Sequence, residues 1–446
     1  MQQSFLKHIR VFHACMITTI GFLSLMYIES YTSPIQDDIL ERGILTINTY
    51  PLFVSAINIG GLIGSLIAGP ISEWLGTKTS LIVFSQLGTI GGILLVWAND
   101  GVSMTFARGI IGVYSSFSLT CVPLYNIEVA SKSSWKFYGG IQAMSIRMGV
   151  FLSYSLGIWL PYRWLAFVYL VMVVFMNLNL VFLPESPRWL RKKGWNEKAE
   201  KAREYFFDVT KENTALVPDD KPEEPDSAKD DNSPKLRISQ KIRSYLVWPV
   251  IRPLLVSCTM ASFKTFSSNE YLFTYAAHTL AEAVSINSRV AAVFYPISLV
   301  ITAIIFLLII HKVNWKKLLI LATFIQAIAN VLLSATFYFS VEMLRCTHET
   351  GSTICDVLLF APMPLIMLYG FAYTIGLGSI YWWLYGKILH HHYIKISAGI
   401  VVFTYFASCI LNQLIAPLIV EYLGAFVIFL IYAVLCFISI PIQCKY

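Results

Sequence analysis

Pro218-Asp219-Asp220-Lys221-Pro222-Glu223-Glu224-Pro225-Asp226, continuing through Ser227-Ala228-Lys229-Asp230-Asp231-Asn232-Ser233 to Pro234, is a polar tract in an otherwise apolar chain. Such a mixture of proline, acid and lysine cannot bury enough apolar surface to order itself, so it reads as a linker or a disordered segment. It lies inside the only long polar region, 184–248, which holds 14 of the 33 Lys and Arg residues and 13 of the 26 Asp and Glu residues. On either side of it the chain breaks into six apolar stretches. The first six run roughly over 11–28, 49–71, 79–97, 103–126, 137–160 and 163–183, and the second six over 250–278, 291–310, 316–340, 357–386, 396–420 and 422–442.

A helix that crosses a bilayer needs about 20 apolar residues, so each stretch is long enough to span. The whole chain of 446 residues is 56% hydrophobic and 13% charged, with a mean hydropathy of +0.64. That composition excludes an ordinary soluble enzyme, whose surface needs about 25% charged residues. A membrane β-barrel is excluded because the apolar runs are continuous instead of alternating. No small-residue cleavage site follows the first stretch, so a cleaved signal peptide is not expected. The expected fold is therefore an all-α polytopic membrane protein of twelve transmembrane helices in two six-helix bundles. The bundles are 1–183 and 249–446, joined by a linker over 184–248. Within the linker, Glu197 to Phe207 reads as an amphipathic helix, with Ala199, Ala202, Tyr205 and Phe206 against Lys198, Lys201 and Glu204.

The loop charges set an orientation. Loops after the even spans carry Lys78, then Lys132 and Lys136, then Arg188, Arg191, Lys192 and Lys193, and later Lys312, Lys316, Lys317, Lys387 and Lys395. Loops after the odd spans lack this bias: Glu29 to Arg42 has four acids against one base, and Glu342 to Asp356 has three against one. The positive-inside rule places both termini and the linker in the cytoplasm, with the plasma membrane as the expected location. Two six-helix bundles around a cytoplasmic linker are an arrangement of many secondary transporters. Of eight cysteines, Cys346 and Cys355 share an extracellular loop. They are either a disulfide in an oxidising milieu or two unpaired thiols. No metal spacing, no Asn-x-Ser/Thr sequon and no Walker motif is present, so no cofactor and no ATP drive are expected.

Three motifs in the first half resemble the sugar porter family of the major facilitator superfamily, nearest to animal facilitative hexose and trehalose transporters. Gly69-Pro70-Ile71-Ser72-Glu73-Trp74-Leu75-Gly76-Thr77-Lys78 is similar to its G-x-x-x-D-x-x-G-R-K loop. Arg108-Gly109-Ile110-Ile111-Gly112 and Pro123-Leu124-Tyr125-Asn126-Ile127-Glu128 resemble R-x-x-x-G and P-x-Y-x-x-E. The most specific match is Pro184-Glu185-Ser186-Pro187-Arg188-Trp189-Leu190, and Tyr31-Thr32-Ser33-Pro34 is similar to the trehalose-transporter branch. The resemblance implies a cytoplasmic gate of Glu73, Arg108, Glu128, Glu185 and Arg188, whose ionic pairs hold one closed state and break in the other. The alternative is that these charges only snorkel at the interface.

Departures from the family are numerous, and they cluster. Thr77 stands for the family Arg, Trp135-Lys136 for Arg-Gly, and His311 to Lys317 for a second D-x-x-G-R-K/R. Gly376-Leu377-Gly378-Ser379-Ile380-Tyr381-Trp382-Trp383 stands against G-P-x-P-W, Lys387 against Glu, and the terminal P-E-T-K-G is absent. A weakened inward lock is the expected consequence. His390, His391 and His392 are read as a basic interfacial loop, with metal binding or pH sensing as the other reading.

Charges inside a span are costly and face aqueous cavities, which makes Arg147, Lys264 and Glu270 candidate functional residues. The family's seventh-span amides, which bind sugar hydroxyls, correspond to Lys264-Thr265-Phe266-Ser267-Ser268-Asn269-Glu270. Its fifth-span Gln falls on Ala143, beside Gln142 and one turn before Arg147, and its cavity Trp falls on Trp382. The expected substrate-binding set is Gln142, Arg147, Lys264, Thr265, Glu270 and Trp382. Arg147 is expected to pair with Glu270 across the halves, either as part of the cavity or as a bridge that fixes helix register.

The expected function is facilitated transport of a small polar solute, a sugar such as a hexose or a trehalose-like disaccharide, by alternating access without enzymatic chemistry. The partners are the solute and the lipid bilayer. The alternatives are a transporter-derived sensor with little turnover, or a carrier of a non-sugar, anionic solute. Glu29, at the outer end of the first span, leaves proton coupling open.

Overall fold

The computed structural model describes residues 2–130, 134–207, 248–273, 288–310, 312–350, 361–389 and 394–445. The linker stretch 218–234, Lys132, His311, Cys355 and the His390–His392 run lie outside the described residues, and so do the side chains of Cys346, Trp383 and Lys387. Most of the described residues are helical, with no strand among them.

The first group of helices is α1 (Gln2–Ser30), α2 (Thr32–Glu41), α3 (Tyr50–Leu75), α4 (Thr77–Trp97), α5 (Gly101–Val129), α6 (Trp135–Gly157) and α7 (Tyr162–Leu180). Two short helices follow, α8 (Pro187–Lys192) and α9 (Asn196–Phe206). The second group is α10 (Trp248–Thr265), α11 (Ser288–Ile309), α12 (Trp315–Thr350), α13 (Pro362–Tyr373), α14 (Ser379–Ile388), α15 (Ile394–Leu423) and α16 (Ala425–Lys445). Nine stretches among the described residues are long and apolar enough to cross a membrane. Large apolar side chains exposed on these helices, among them Ile63, Leu66, Leu321 and Leu418, mark the side that faces lipid.

Local chemistry sets the helix ends. Asp100 caps α5, accepting from the Ser103 amide at 2.9 Å and its hydroxyl at 2.7 Å, which holds the Asp100 carboxyl below the usual carboxylate range. Ser186 caps α8 through the Trp189 amide at 3.3 Å, with Pro187 preset for the first turn. The amphipathic helix expected over Glu197–Phe207 is α9, with Ala199, Ala202 and Phe206 buried. It docks on α1, where Lys7 Nζ donates to the Phe207 carbonyl at 2.8 Å and Arg10 lies 4.7 Å over the Tyr205 ring.

Small residues let backbones touch. A Cβ on Gly60 would strike the Gly109 carbonyl of α5, and one on Gly112 would strike the Ile57 carbonyl of α3. One step round the same helix, Gly61 receives the Phe406 ring of α15, and Gly69 lies against Lys395 and Ile396 at the start of α15. Thus α3 is clamped between a helix of the first group and a helix of the second, as close small-residue packing in a bilayer allows.

Two helices of the second group are interrupted. After α10 the chain turns through Ser268, at φ 73 the one non-glycine residue with positive φ among those described, and resumes as helix over 269–273. Between α13 and α14 a wide turn over Thr374–Gly378 contains Gly376 at φ −95, ψ −114. Broken helices in a membrane are tolerated where the freed backbone faces protein or a polar cavity.

Candidate functional site

The two breaks frame the site. Lys264 ends α10 and Glu270 starts the resumed helix, so the turn between them folds the two charges together: Lys264 Nζ lies 3.2 Å from Glu270 Oε1. Both are almost fully buried, at 2% and 1% exposed. The ammonium also sits 5.0 Å over the Trp382 ring and 4.5 Å over the Tyr405 ring. Tyr405 donates to the same Glu270 oxygen at 3.4 Å, and Asn269 Nδ2 does so at 3.5 Å. Trp382 packs edge-on against Tyr405 at 5.4 Å and meets Phe22 of α1 at 5.7 Å, so the aromatic wall joins the two helix groups. The ring expected to stack on a sugar thus carries the Lys264 cation.

The expected Arg147–Glu270 pair is not the one formed. Glu270 engages Lys264, because a six-residue separation across a sharp turn brings those two side chains together before the opposite helix can supply a partner. Arg147, at the middle of α6, instead stacks over the Tyr373 ring at 5.1 Å and reaches the break between α13 and α14. There Gly378 leaves room for Nη2, which a Cβ would fill. Arg147 is 1% exposed, and its Nε and Nη2 have no hydrogen-bond partner among the described residues. Around the same break, the Thr374 and Ser379 hydroxyls and both amide atoms of Gln326 are buried and have no hydrogen-bond partner among the described residues. Gln326 lies against Gly376, across the break from α12. Buried polar groups are satisfied in more than about 90% of cases, so this concentration sets the break apart as the candidate site.

Gln142 and Thr265 have local partners. Gln142 Nε2 donates to the Val122 carbonyl at 3.5 Å, towards α5. Thr265 returns its hydroxyl to the Ala261 carbonyl at 3.0 Å, while its own carbonyl accepts from Asn412 Nδ2 at 3.2 Å. Glu29, expected near an interface, is buried inside the bundle because α2 prolongs α1 beyond it, and its Oε1 has no hydrogen-bond partner.

The expected gate divides. Arg108 is not at the same end as the others: it lies twenty residues before Glu128 on α5, about 30 Å along the axis. Its guanidinium donates to the Ile28 carbonyl at 3.0 Å and the Val54 carbonyl at 3.4 Å, and stacks 4.9 Å from the Phe53 ring, fixing α1 and α3 near the far end. Span direction held the signal: the fourth span runs opposite to the third, so its early residues are on the other face. Glu185 caps α4, accepting from the Lys78 amide at 3.0 Å, the Thr79 amide at 2.9 Å and the Thr79 hydroxyl at 3.0 Å. Glu73 pairs with Lys192 at 2.6 Å, and Thr77 donates to Glu128 at 3.4 Å. Arg188 is exposed and makes no ion pair among the described residues. These bonds all lie within the first group of helices and the short segment with α8 that follows it.

Contacts between the groups are made by other residues. Lys395 at the start of α15 donates to the Ser72 carbonyl of α3 at 3.1 Å. Towards the other end of the same helix pair, Asn58 Nδ2 donates to Gln413 Oε1 at 2.8 Å. Tyr154 of α6 donates to the Phe273 carbonyl at 2.9 Å, just beyond the Ser268 turn. In the sequence Lys395 counted only as a loop charge, and Asn58 was one polar residue in an apolar span. The glycine stripe of α3 was the readable sign that this helix meets a close partner.

Residues 12–445 match the family model described as sugar (and other) transporter. The chain is 26% identical over 383 residues to sugar transporter ERD6-like 6 of Arabidopsis thaliana, covering 85% of this chain and 76% of that protein. It is 25% identical over 460 residues to human solute carrier family 2, facilitated glucose transporter member 6, covering 98% and 88%. With facilitated trehalose transporter Tret1 of Drosophila pseudoobscura pseudoobscura it shares 22% over 438 residues, 96% of this chain and 48% of that one. Among solved structures, the major facilitator superfamily proton:xylose symporter XylE bound to 6-bromo-6-deoxy-D-glucose superposes with a TM-score of 0.75 at 15% identity, covering 99% and 96%. Partially occluded, inward-open XylE from E. coli gives 0.71 at 17%, covering 98% and 97%.

Proposed function

Because the chain belongs to the sugar (and other) transporter family and has the twelve-helix major facilitator fold, we propose that it carries a sugar, a hexose or a trehalose-like disaccharide, across the bilayer by alternating access. The observation that carries this reading is the group of unpartnered polar side chains around the break between α13 and α14. Hydroxyl, amide and guanidinium groups left without partners in a buried site match a solute that brings many hydroxyls.

The moving units are 1–183 and 249–446, joined by the linker over 184–248. The breaks at Ser268 and Gly376 let parts of α10 and of α13–α14 tilt while the rest stays packed. Inter-group bonds at each end of the α3–α15 pair, Lys395 to Ser72 and Asn58 to Gln413, break alternately as one face opens. Loop charges support cytoplasmic termini, and the plasma membrane is the proposed location.

The test is uptake of radiolabelled glucose, trehalose and xylose into proteoliposomes, with and without a pH gradient. Facilitated transport gives equilibration that stops at equal concentrations, and Trp382→Ala abolishes it. Solute binding without uptake, or accumulation that follows the pH gradient, overturns the facilitative reading.

A further inference from the structure

We propose that the sugar carried is an acidic one, whose single carboxylate docks on the Arg147 guanidinium beside the break between α13 and α14. This rests on the sugar-transport reading and names the charge class of the substrate. Three observations support it.

Arg147 sits halfway along a membrane-crossing helix at 1% exposure, where an uncompensated charge is expensive. Lys264 has Glu270 at 3.2 Å, and Arg108 has two backbone carbonyls and lies within electrostatic range of Glu29. Arg147 has an aromatic face and no carboxylate within ion-pair distance among the described residues. The buried charges beside the two helix breaks are Arg147 and Lys264 against Glu270, an excess of one positive charge. A ligand with one negative charge cancels it; a neutral sugar does not, and a phosphate dianion overshoots.

The second observation is which nitrogens are idle. Nε and Nη2 lie on one edge of the guanidinium, and their parallel N–H bonds match the two oxygens of a carboxylate. Sugar hydroxyls can accept from these N–H groups, but only a carboxylate brings two coplanar oxygens together with the compensating charge.

The third is the surroundings. Gly378 clears the space at Nη2, and Thr374, Ser379 and Gln326 offer unpartnered hydroxyl and amide groups along the same break. A polyhydroxylated monocarboxylate fits this combination: its acid meets Arg147 and its hydroxyls meet the neutral groups.

Proteoliposomes holding the full chain test this with glucuronate, glucose and glucose 6-phosphate at equal concentrations well below saturation. The expected result is glucuronate uptake at least tenfold faster than glucose, with a charge movement on glucuronate addition. Arg147→Lys keeps the charge but not the two-pronged edge, and is expected to cut the glucuronate-to-glucose ratio severalfold. Arg147→Met is expected to bring it near one; should that variant not fold, the Lys variant decides. Equal uptake of glucose and glucuronate, or faster glucose 6-phosphate uptake, overturns the proposal and leaves sugar transport standing. Thermal stabilisation of the purified protein by chloride equal to that by glucuronate also overturns it, by showing a resident inorganic anion. If none of the three sugars enters, the sugar-transport reading itself fails.

Discussion

Lys395 Nζ donates a hydrogen bond to the Ser72 carbonyl at 3.1 Å, tying the first turn of α15 to the last turn of α3. The same carbonyl accepts the Gly76 amide at 3.1 Å, so the lysine takes its second lone pair. A cation at a helix C-terminus is favoured by the helix dipole, by up to about 2 kcal/mol when partly buried. Here a single lysine on a backbone carbonyl joins the two helix groups at this end of α3.

Removing it should loosen that face. Lys395→Met is expected to shift the balance towards the state open at the α8–α9 face by about five- to thirtyfold, the equivalent of about 1–2 kcal/mol. The bond goes to a backbone atom, so Ser72→Cys preserves it and supplies a reporter that is fully buried when closed. Labelling of that cysteine by a membrane-impermeant maleimide should rise in the Lys395→Met background. Unchanged labelling would show that the bond does not hold the face shut.

Lys264 and Glu270 should behave as one unit. Either Lys264→Met or Glu270→Met alone leaves a buried charge without its partner, expected to cost about 3–5 kcal/mol. The double variant removes both charges and should recover most of that loss. Thermal unfolding in detergent measures this as a coupling energy; additive losses would mean that the 3.2 Å contact contributes little.

The twelve-span plan could be read from hydropathy because burial in lipid forces long apolar runs, whatever the details of packing. The charged positions Arg147, Lys264 and Glu270 were likewise legible, since charges inside spans are few. Their pairing was not. It depends on the turn at Ser268, where a serine adopts a conformation usually left to glycine, and on the loss of helix between Thr265 and Asn269. A helical count from Lys264 to Glu270 puts them on different faces, whereas the turn joins them. Arg108 shows a simpler limit: motif resemblance marked it, but span direction decides which membrane face it serves.

Helix contact at α3 and α5 predicts a sharp contrast between neighbouring glycines. Gly60→Ala drives a methyl into the Gly109 carbonyl, and backbone cannot yield as a side chain can. A loss of at least about 1–3 kcal/mol is expected, seen as reduced monodisperse yield and a lower Tm. Gly109→Ala is the control, because its nearest atom beyond its own helix is the Ala56 carbonyl at 3.9 Å, an ordinary contact. Equal behaviour of the two variants would contradict the close approach.

Glu185 and Gly76 make a cap that neither could make alone. Gly76 precedes α4 at φ 95 with no side chain to offer, and the space where its Cβ would stand is taken by the Glu185 carboxylate. The carboxylate then accepts from the first-turn amides of Lys78 and Thr79. Glu185→Ala leaves those donors unmet and is expected to cost about 0.5–2 kcal/mol, with Glu185→Gln intermediate because it keeps an acceptor oxygen but not the charge. Gly76→Ala should cost at least as much, since it both strains the backbone and displaces the carboxylate. The double alanine variant is the decisive measurement. If the glycine's main purpose is to admit the carboxylate, the double loss falls short of the sum of the singles, because the cap can be lost only once.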